Sequence, residues 1–290
     1  MSAPETPVTY GPRINRWDLF RVFIRSFLIQ SAWNFERGLN YGFAFALAPI
    51  LRKLYLKADQ PGCFQRHLEY FNTQPYMASF ILGAVARMEL DKSKLPLTEW
   101  RQKAEEINAL KVGMMGPVAA MGDSLFWATF RPFCGLLVAG LVFTGVFSTG
   151  SFAAATAVFF FLVLYNSGHL GVRTLGFMQG WHHGDQVVLS LRKYGFQEAT
   201  QGLKVTAALI LGVLLVLLNR PEAGAIPMFV FKMVFFGWLL AFYTFALRRK
   251  VGPSQLFYGI VLFSLMLAYW PKLSSAPGIV SGFFPFMSEP

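Results

Sequence analysis

The chain has 290 residues, of which 54% are hydrophobic and only 14% charged, and its mean hydropathy is +0.44. A soluble domain carries roughly 25% charged residues, so this composition excludes an ordinary soluble protein. The net charge of +11 is typical of basic cytoplasmic loops in a membrane protein, and no basic stripe indicates nucleic acid. We therefore predict an all-α, polytopic integral membrane protein that is surrounded by lipid.

Four regions follow one another along the chain. We predict an N-terminal tail at 1–16, a region of polar motifs with amphipathic and re-entrant helices at 17–132, a transmembrane region at 133–270 and a C-terminal tail at 271–290. The N-terminal tail is polar and lacks the apolar stretch and small-residue cleavage site of a signal peptide. Membrane insertion is therefore expected to use the internal apolar segments.

The first polar motif is "RSFLIQSAWNFERGLNYGF", residues 25–43. On a helical period, one face carries Gln30, Asn34, Arg37 and Tyr41, and the adjacent face carries Trp33, Glu36 and Asn40. An aromatic ring beside amides and a carboxylate is typical of a sugar site, where the ring stacks on the sugar and polar groups bind its hydroxyls. The alternative is a polar seam that holds two membrane helices together. The spacing leaves both interpretations open.

The second motif is "QRHLEYFNTQPYMASFILG", residues 65–83. Pro75 lacks a backbone donor and disfavours a helical conformation at Gln74, so a helix through Arg66–Phe71 is predicted to end at "NTQP". A second, apolar helix is predicted to begin at Pro75. A broken helix at membrane depth lines a cavity or is buried in protein. The alternative is a cytoplasmic turn capped by Asn72.

The third motif is "KVGMMGPVAAMGDSLFWATFRP", residues 111–132. Glycines and a proline interrupt an apolar run that is too short to span a bilayer, which predicts a re-entrant hairpin. Asp123 is placed to cap the N-terminus of a helix over "SLFWATF". A direct contact between Asp123 and a ligand is the alternative role, and the two are compatible.

The second half of the chain is dominated by apolar segments. About five membrane segments are predicted, at Phe133–Phe147, Phe152–Asn166, Val205–Leu218, Ile226–Leu247 and Leu256–Trp270. Residues 168–203 are predicted to form an amphipathic helix or a hairpin at the membrane interface, and Asp91–Glu106 a solvated helical segment. If the predicted segments cross the membrane in turn, one side carries Arg131, the basic 169–204 loop and "RRK" at 248–250. The positive-inside rule makes this side cytoplasmic. The C-terminus is then expected outside.

Few residues have the pattern of a catalytic or metal site. Cys63 and Cys134 are predicted to be unpaired thiols. His182, His183 and Asp185 are adjacent, but their side chains would point apart on a helix and no further ligand lies at a useful spacing. The sequence has no phosphate-binding loop and no serine nucleophile elbow. We predict no metal, no cofactor and no catalytic nucleophile.

Read in order, the three motifs resemble the IID membrane component of the mannose/fructose/sorbose family of bacterial phosphotransferase (PTS) systems. "QSAWNFER", "HLEYFNT" and "GPVAAMGDSLFW" carry the resemblance, which is dense over 17–132 and loose to about 270. It implies a chain in the bacterial inner membrane that pairs with a separate IIC subunit, with such pairs assembled as trimers. A hexose or amino sugar would bind between the two subunits and move with an elevator-like domain. Phosphoryl groups would reach the sugar through the IIA and IIB components, and the IID chain would carry no phosphorylated residue.

The resemblance also implies the site. The residues expected near the sugar are Trp33, Asn34, Glu36, Asn72, Gln74 and Asp123, with Arg37 fixing Glu36 or a group of the partner. The chain departs from the family at Gly38 and Leu39, where Met-Gln is usual, so an amide is lost beside the expected site. The alternative to a transporting subunit is a structural or regulatory membrane subunit that stabilises a IIC partner.

Overall fold

A computed structural model describes residues 14–146 and 151–218, together with Gly237. The regular elements of these ranges are helices. They are α1 (Arg16–Arg25), α2 (Asn40–Leu54), α3 (Gln60–His67), α4 (Ala78–Lys92), α5 (Trp100–Gly122), a π-helix (Asp123–Phe130), α6 (Arg131–Phe143), α7 (Ser151–His183), α8 (Val187–Lys193) and α9 (Phe196–Leu218). Short 3₁₀ turns lie at Ser26–Leu28, Leu97–Glu99 and Gly184–Gln186. The all-α prediction is confirmed for the part of the chain that the structure describes.

Helix α1 begins with a reciprocal cap. The Asn15 side chain accepts a hydrogen bond from the backbone N–H of Asp18, and the Asp18 carboxylate accepts one from the backbone N–H of Asn15, both at 2.9 Å. Asp18 also binds Lys53 of α2 at 2.6 Å. Because Asp18 and Val22 share the buried face, these contacts seat α1 against α2.

Helix α4 is the centre of the fold. It is buried over most of its length and packs against α2, α5, α7 and α8. Its closest neighbour is α7, because the two backbones meet at glycines: a Cβ atom on Gly180 would clash with the Phe80 carbonyl oxygen. Small residues of this kind allow membrane helices to approach closely. This packing fixes the segment before α4, where the second polar motif lies.

The predicted re-entrant hairpin at 111–132 is wrong. The 3₁₀ turn, α5, the π-helix and α6 follow one another without a break, so a single helical segment runs from Leu97 to Phe143 over 47 residues. Gly113, Gly116 and Pro117 lie on its exposed side, while Met114 and Val118 are buried in the core on the other. The helix continues because that packing outweighs roughly 1 kcal/mol per glycine and the single backbone bond lost at Pro117.

Two helical segments are long and apolar enough to cross a membrane, Leu97–Phe143 and Phe152–Leu189, within the described residues. They contain the segments predicted at Phe152–Asn166 and, up to residue 143, at Phe133–Phe147. The segment predicted at Val205–Leu218 is helical as part of α9. The two segments predicted at Ile226–Leu247 and Leu256–Trp270 lie outside the described residues, so the number of five stays a prediction.

Residues 168–203 differ from the prediction of a separate interfacial helix or hairpin. The first part, to His183, continues α7, a helix of 33 residues that contacts α4. The chain then turns at Gly184 and again at Gly195, both at positive φ, before α8 and α9. The polar residues of this stretch misled the prediction because several of them are buried against other helices. Asp91–Glu106 is helical at both ends but is interrupted between Lys92 and Leu97.

Candidate functional site

The first polar motif folds as a tight turn and not as the predicted helix face. Backbone N–H groups of Asn34 and Gly38 each donate to the other's carbonyl, at 3.1 and 2.9 Å. The side-chain oxygen of Asn34 accepts from the backbone N–H of Arg37 at 2.8 Å, and its Nδ2 donates to Asn40 Oδ1 at 3.0 Å. The Asn34 amide is therefore used inside its own turn.

Gly38 explains why this turn has its shape. Its φ is +66°, a left-handed conformation that residues with a side chain rarely adopt. A Cβ atom there would stand 2.7 Å from the Phe71 carbonyl oxygen and 2.9 Å from Asn72 Cβ. The neighbouring backbone is joined to the second motif, since Leu39 N–H donates to Phe71 O at 2.6 Å and Phe71 N–H to Arg37 O at 3.1 Å. The departure from the family pattern at Gly38 thus has a local structural role.

The second motif forms the 68–77 loop, the irregular stretch between α3 and α4. The predicted helix break is confirmed, although α3 ends at His67 and α4 begins only at Ala78. Gln74 makes the turn into α4: its side-chain oxygen accepts from the backbone N–H groups of Tyr76 and Met77, both at 2.8 Å. The predicted alternative of an Asn72 cap is not what the structure has.

The 68–77 loop also contacts the third motif. Thr73 Oγ1 donates to the Met115 carbonyl of α5 at 3.0 Å, and the Asn72 backbone N–H points at the Met115 sulfur at 3.3 Å. A Cβ atom on Gly122 would lie 2.6 Å from Gln74 Cβ, so the Gln74 side chain packs directly on the helix that carries Asp123. The loop therefore links the three motifs, which are far apart in sequence.

The seven predicted site residues fall into three environments. Trp33, Glu36, Arg37, Asn72 and Asp123 are exposed, Asn34 is half-buried, and Gln74 is 1% exposed. Gln74 Nε2 has no hydrogen-bond partner among the described residues. Asp123 is not the predicted N-cap, because it lies inside a continuous helix and its side chain caps nothing. Arg37 donates to the Leu68 carbonyl at 3.4 Å and not to Glu36.

A buried ionic network beside α4 was not predicted. Glu89, which is fully buried, accepts hydrogen bonds from Arg66 Nη2 at 2.7 Å, from His67 Nε2 at 2.9 Å and from the Tyr55 hydroxyl. Lys92 Nζ lies 4.1 Å from the ring centroid of Trp100 and donates to the Tyr55 hydroxyl at 3.4 Å. These residues lie up to 45 positions apart, so no local pattern could have indicated their meeting.

Burial sets the protonation states of this network. Burial alone would raise the pKa of Glu89, but the hydrogen bond from His67 and the charge of Arg66 overcome it and hold that pKa well below its ordinary range. Burial lowers the pKa of His67 to about 4, although its bond to Glu89 opposes this. At neutral pH, Glu89 is therefore charged and paired with Arg66, while His67 is neutral.

A second unpredicted cluster surrounds Tyr76, which follows Gln74 and Pro75. The Tyr76 ring stacks on His169 of α7 with centroids 4.5 Å apart, and its hydroxyl lies 3.2 Å from that of Tyr165. Arg173 is 3% exposed and donates to the Ser26 carbonyl at 2.6 Å. Its guanidinium carbon lies 4.6 Å from the Phe27 ring centroid and 5.6 Å from that of Tyr76. The cluster joins the 3₁₀ turn at Ser26–Leu28, the 68–77 loop and α7.

Neither cysteine forms a disulfide, since Cys63 and Cys134 are both buried free thiols. Within the described ranges, no group of three or more His, Cys, Asp or Glu side chains is placed to hold a metal ion. His182 and His183 are exposed at the end of α7. The polar chemistry of the described chain is thus hydrogen bonding and ion pairing.

Long apolar helices that pack through glycines, and polar motifs that converge on one loop, define a helical integral membrane protein with an internal polar region. Residues 13–218 match the model of a protein family described as the PTS system mannose/fructose/sorbose family IID component. The chain belongs to this family. It is therefore an inner-membrane component of a bacterial sugar phosphotransferase system, as the resemblance of its motifs indicated.

Several proteins are similar to this chain. The mannose-specific EIID component of Escherichia coli K12 is 34% identical over 235 residues, which cover 79% of this chain and 76% of that protein. The fructose permease IID component of Bacillus subtilis is 28% identical and covers 89% of this chain and 96% of its own length. Among solved structures, a chain of the mannose transporter ManYZ in complex with microcin E492 is 28% identical, with a TM-score of 0.51 over 90% of this chain and 97% of that one. Another membrane protein structure gives a TM-score of 0.60 at 28% identity, over 90% of this chain and 98% of that chain.

Proposed function

We propose that this chain and a separate IIC subunit together form the translocation pathway of a mannose-family PTS. Sugar is phosphorylated by the IIB component as it is moved, with phosphoryl groups supplied through IIA. The observation that carries the proposal is the meeting of three distant polar motifs at the 68–77 loop, where the buried Gln74 amide has a free donor. Polar groups inside a membrane protein are costly and usually serve function.

The proposed assembly follows the family. The IID chain pairs with IIC, such pairs form trimers, and the C-terminus lies outside the cytoplasm. A relative named as mannose-specific and another named as a fructose permease support a sugar as the cargo. The structural neighbour named ManYZ supports a second membrane subunit, because its name covers two components of one transporter.

We assign the seven site residues two kinds of role. Trp33, Glu36, Asn72, Gln74 and Asp123 line the sugar pathway or its boundary with IIC, because four of them expose polar or aromatic groups and Gln74 has a free donor. Asn34 and Arg37 are positioning residues. Their side chains hold the turn and the start of the 68–77 loop in place.

The test is phosphoenolpyruvate-dependent uptake in cells that express this chain with its IIA, IIB and IIC partners. Mannose, fructose and sorbose are supplied in turn as radiolabelled sugars. Asn72→Ala and Asp123→Asn are expected to lower uptake at least tenfold at equal amounts of protein in the membrane. Asp91→Asn, which changes a half-buried carboxylate that pairs with Arg87 at the end of α4, is the control and should transport like the wild type. Uptake at the wild-type rate in both site variants would contradict the assignment.

The second candidate is a structural or regulatory subunit that stabilises IIC without transporting. It is favoured by the Asn34, Asn40 and Arg37 side chains, which hydrogen-bond within the turn and to the Leu68 carbonyl and so stabilise the fold. In the same cells it predicts that removing this chain lowers the amount of IIC, while no sugar enters when the chain is present. Neighbouring IIA, IIB and IIC genes favour transport, and their absence favours this second candidate.

A further inference from the structure

Helix α9 carries a polar face that the sequence motifs did not include. Gln197, Thr200, Gln201 and Lys204 follow one another at the i, i+3, i+4, i+7 spacing of a single helix face. The turns beyond them expose apolar side chains such as Val205 and Leu209. Gln197, Gln201 and Lys204 are exposed, so the stripe is open to water, to a partner group or to a ligand.

This polar face borders a recess. A cavity of about 320 Å³ lies between α9 and the junction of α5 with the π-helix. Its described lining consists of Ala120, Met121, Ser124, Phe196, Gln197, Thr200, Gln201 and Lys204. The volume is near the lower end of the roughly 300–1,000 Å³ of small-molecule sites, which suits a ligand the size of one sugar ring. An apolar cavity of about 620 Å³ adjoins it and shares Met121, Phe196 and Gln197.

The hydrogen-bonding groups of the recess are available. The side chains of Gln197, Gln201 and Lys204 make no hydrogen bond or ion pair with any other described residue. Each glutamine offers two donors and an acceptor, and the ammonium offers three donors. The Thr200 hydroxyl donates to the Phe196 carbonyl at 2.6 Å and keeps its capacity to accept. Phe196 adds an aromatic ring to these amides and hydroxyls.

The recess is continuous with the third motif. Ser124 lines it, and Ser124 directly follows Asp123 in the first turn of the π-helix. On the neighbouring part of the same helix, Gly122 packs against Gln74. Eight consecutive residues in a π-helix are unusual, and such segments occur often at functional sites. The helix that bears Asp123 therefore has the 68–77 loop on one side and the recess on the other.

We propose that this recess is a subsite for the sugar ring. Phe196 covers the apolar face of the ring, while Gln197, Gln201, Thr200 and Ser124 bind its hydroxyls, and Lys204 donates to a further oxygen. Lys204 places a cation in the described lining, so the subsite favours a neutral sugar over one that carries an ammonium group. The inference rests on the proposed transport function and adds α9 to the residues that determine specificity.

The experiment uses the complete phosphotransferase system and whichever of mannose, fructose and sorbose the wild type transports. Gln201→Leu removes an amide from the recess, and Gln186→Leu removes an exposed glutamine just before α8 as its control. The KM for the sugar is expected to rise about five- to tenfold in Gln201→Leu, with kcat within twofold of the wild type, because one or two hydrogen bonds to the sugar are lost. Gln186→Leu should leave both constants unchanged.

An unchanged KM in Gln201→Leu, with transport intact, overturns the subsite and leaves the proposed function standing. No uptake of any of the three sugars by the wild type refutes the proposed function and the subsite with it. If Gln201→Leu does not accumulate in the membrane, Gln201→Asn is measured instead. It keeps the amide but shortens its reach, so its KM must also rise for the subsite to stand.

Lys204 is tested through charge. Glucosamine, which carries an ammonium group, is added as a competitor of the transported sugar. Lys204→Met is expected to lower the inhibitory concentration of glucosamine at least threefold, because a repulsive charge is removed, while Lys193→Met on α8 should not change it. Equal inhibition of the wild type and Lys204→Met overturns the placement of Lys204 in the site.

Discussion

The turn at 33–40 and the recess beside α9 use similar residue types in opposite ways. In the turn, the Asn34 and Asn40 amides bond to each other, to the Arg37 backbone and to the Leu68 carbonyl. In the recess, Gln197 and Gln201 make no bond to another described residue. In the turn, the polar side chains hydrogen-bond to each other and to the backbone and hold the turn in shape. In the recess, they are available to bind a ligand.

The difference shows how to assign roles to polar residues in an apolar chain. Asn40 is buried, so its amide needs partners within the protein, whereas the exposed Gln197 and Gln201 amides can bond to water when no ligand is present. Amides that are satisfied internally stabilise the fold, and their removal is a stability effect. Exposed amides without a protein partner are available to a ligand, and under the proposed subsite their removal is a binding effect. Stability and binding measurements therefore separate the two regions.

The largest effect is expected in the Glu89 network, because Glu89 is fully buried and accepts hydrogen bonds from Arg66, His67 and Tyr55. Glu89→Gln leaves Arg66 without its carboxylate partner in a buried position, which costs about 3–5 kcal/mol. The melting temperature of the detergent-solubilised protein should fall steeply, as followed by tryptophan fluorescence. Glu105→Gln, which breaks an exposed pair with Arg101, is the control and should change little. Similar melting temperatures for the two variants would contradict the structural role of Glu89.

Acid should weaken the same network. His67 has its pKa lowered from an ordinary 6.5 to about 4, so the folded state resists a proton that the unfolded state accepts. Stability is thus fully present above pH 6.5 and is lost as the pH falls towards 4, by as much as about 3 kcal/mol. Below 4.5, protonation of Glu89 in the unfolded state adds to the loss. His67→Gln should flatten the melting temperature between pH 6.5 and 4.5, and an unchanged slope there would exclude His67 as the cause.

Gly38→Ala tests whether the turn is a structural device. A left-handed alanine costs about 1–3 kcal/mol, and its Cβ would also press on the Phe71 carbonyl. The melting temperature should fall, with the KM for sugar unchanged in the molecules that remain folded. Gly62→Ala is the matched control: it lies in α3 with open space around it, so alanine there should be neutral or slightly stabilising. Equal melting temperatures in the two variants would remove the argument for a strained position.

Asn34→Asp separates the two roles most directly. The change keeps the oxygen that Arg37 binds but replaces the Nδ2 donor by a carboxylate facing Asn40 Oδ1. We expect a loss of about 1–2 kcal/mol of stability and a KM within twofold of the wild type. Asn166→Asp on α7, whose amide bonds only to nearby residues of its own helix, is the comparison. A large rise in KM at unchanged stability would move Asn34 from the structural class to the binding class.

Local rules predicted the elements whose cause is local. The helix break before α4 followed from Pro75, which removes a donor and restricts Gln74. The helical face at Gln30–Tyr41 was wrong because the periodic argument assumed a continuous helix, whereas Gly38 adopts a left-handed φ and the chain turns. Gly38, directly after Arg37, was the one residue in this stretch of sequence that could have indicated a turn.

The features that depend on packing between distant residues could not be predicted from the sequence. Gly113, Gly116 and Pro117 indicated a hairpin, but Met114 and Val118 bury the opposite face of α5 and keep the helix intact. The Glu89 network joins Tyr55, directly after α2, to side chains of α3 and α4, and the recess joins α5 to α9 across about 80 residues. These residues are far apart in the sequence, and no short sequence pattern predicts that they come into contact.

The continuous helical segment from Leu97 to Phe143 is longer than the hydrocarbon layer of a membrane is thick. At about 1.5 Å per residue, its 47 residues extend roughly 70 Å, more than twice the ~30 Å thickness of the hydrocarbon layer. Its first turns carry ion pairs such as Lys103–Glu106 and need water, so the excess length emerges there. One continuous helical segment thus reaches from the aqueous phase to Asp123 and to Ser124, which lines the recess.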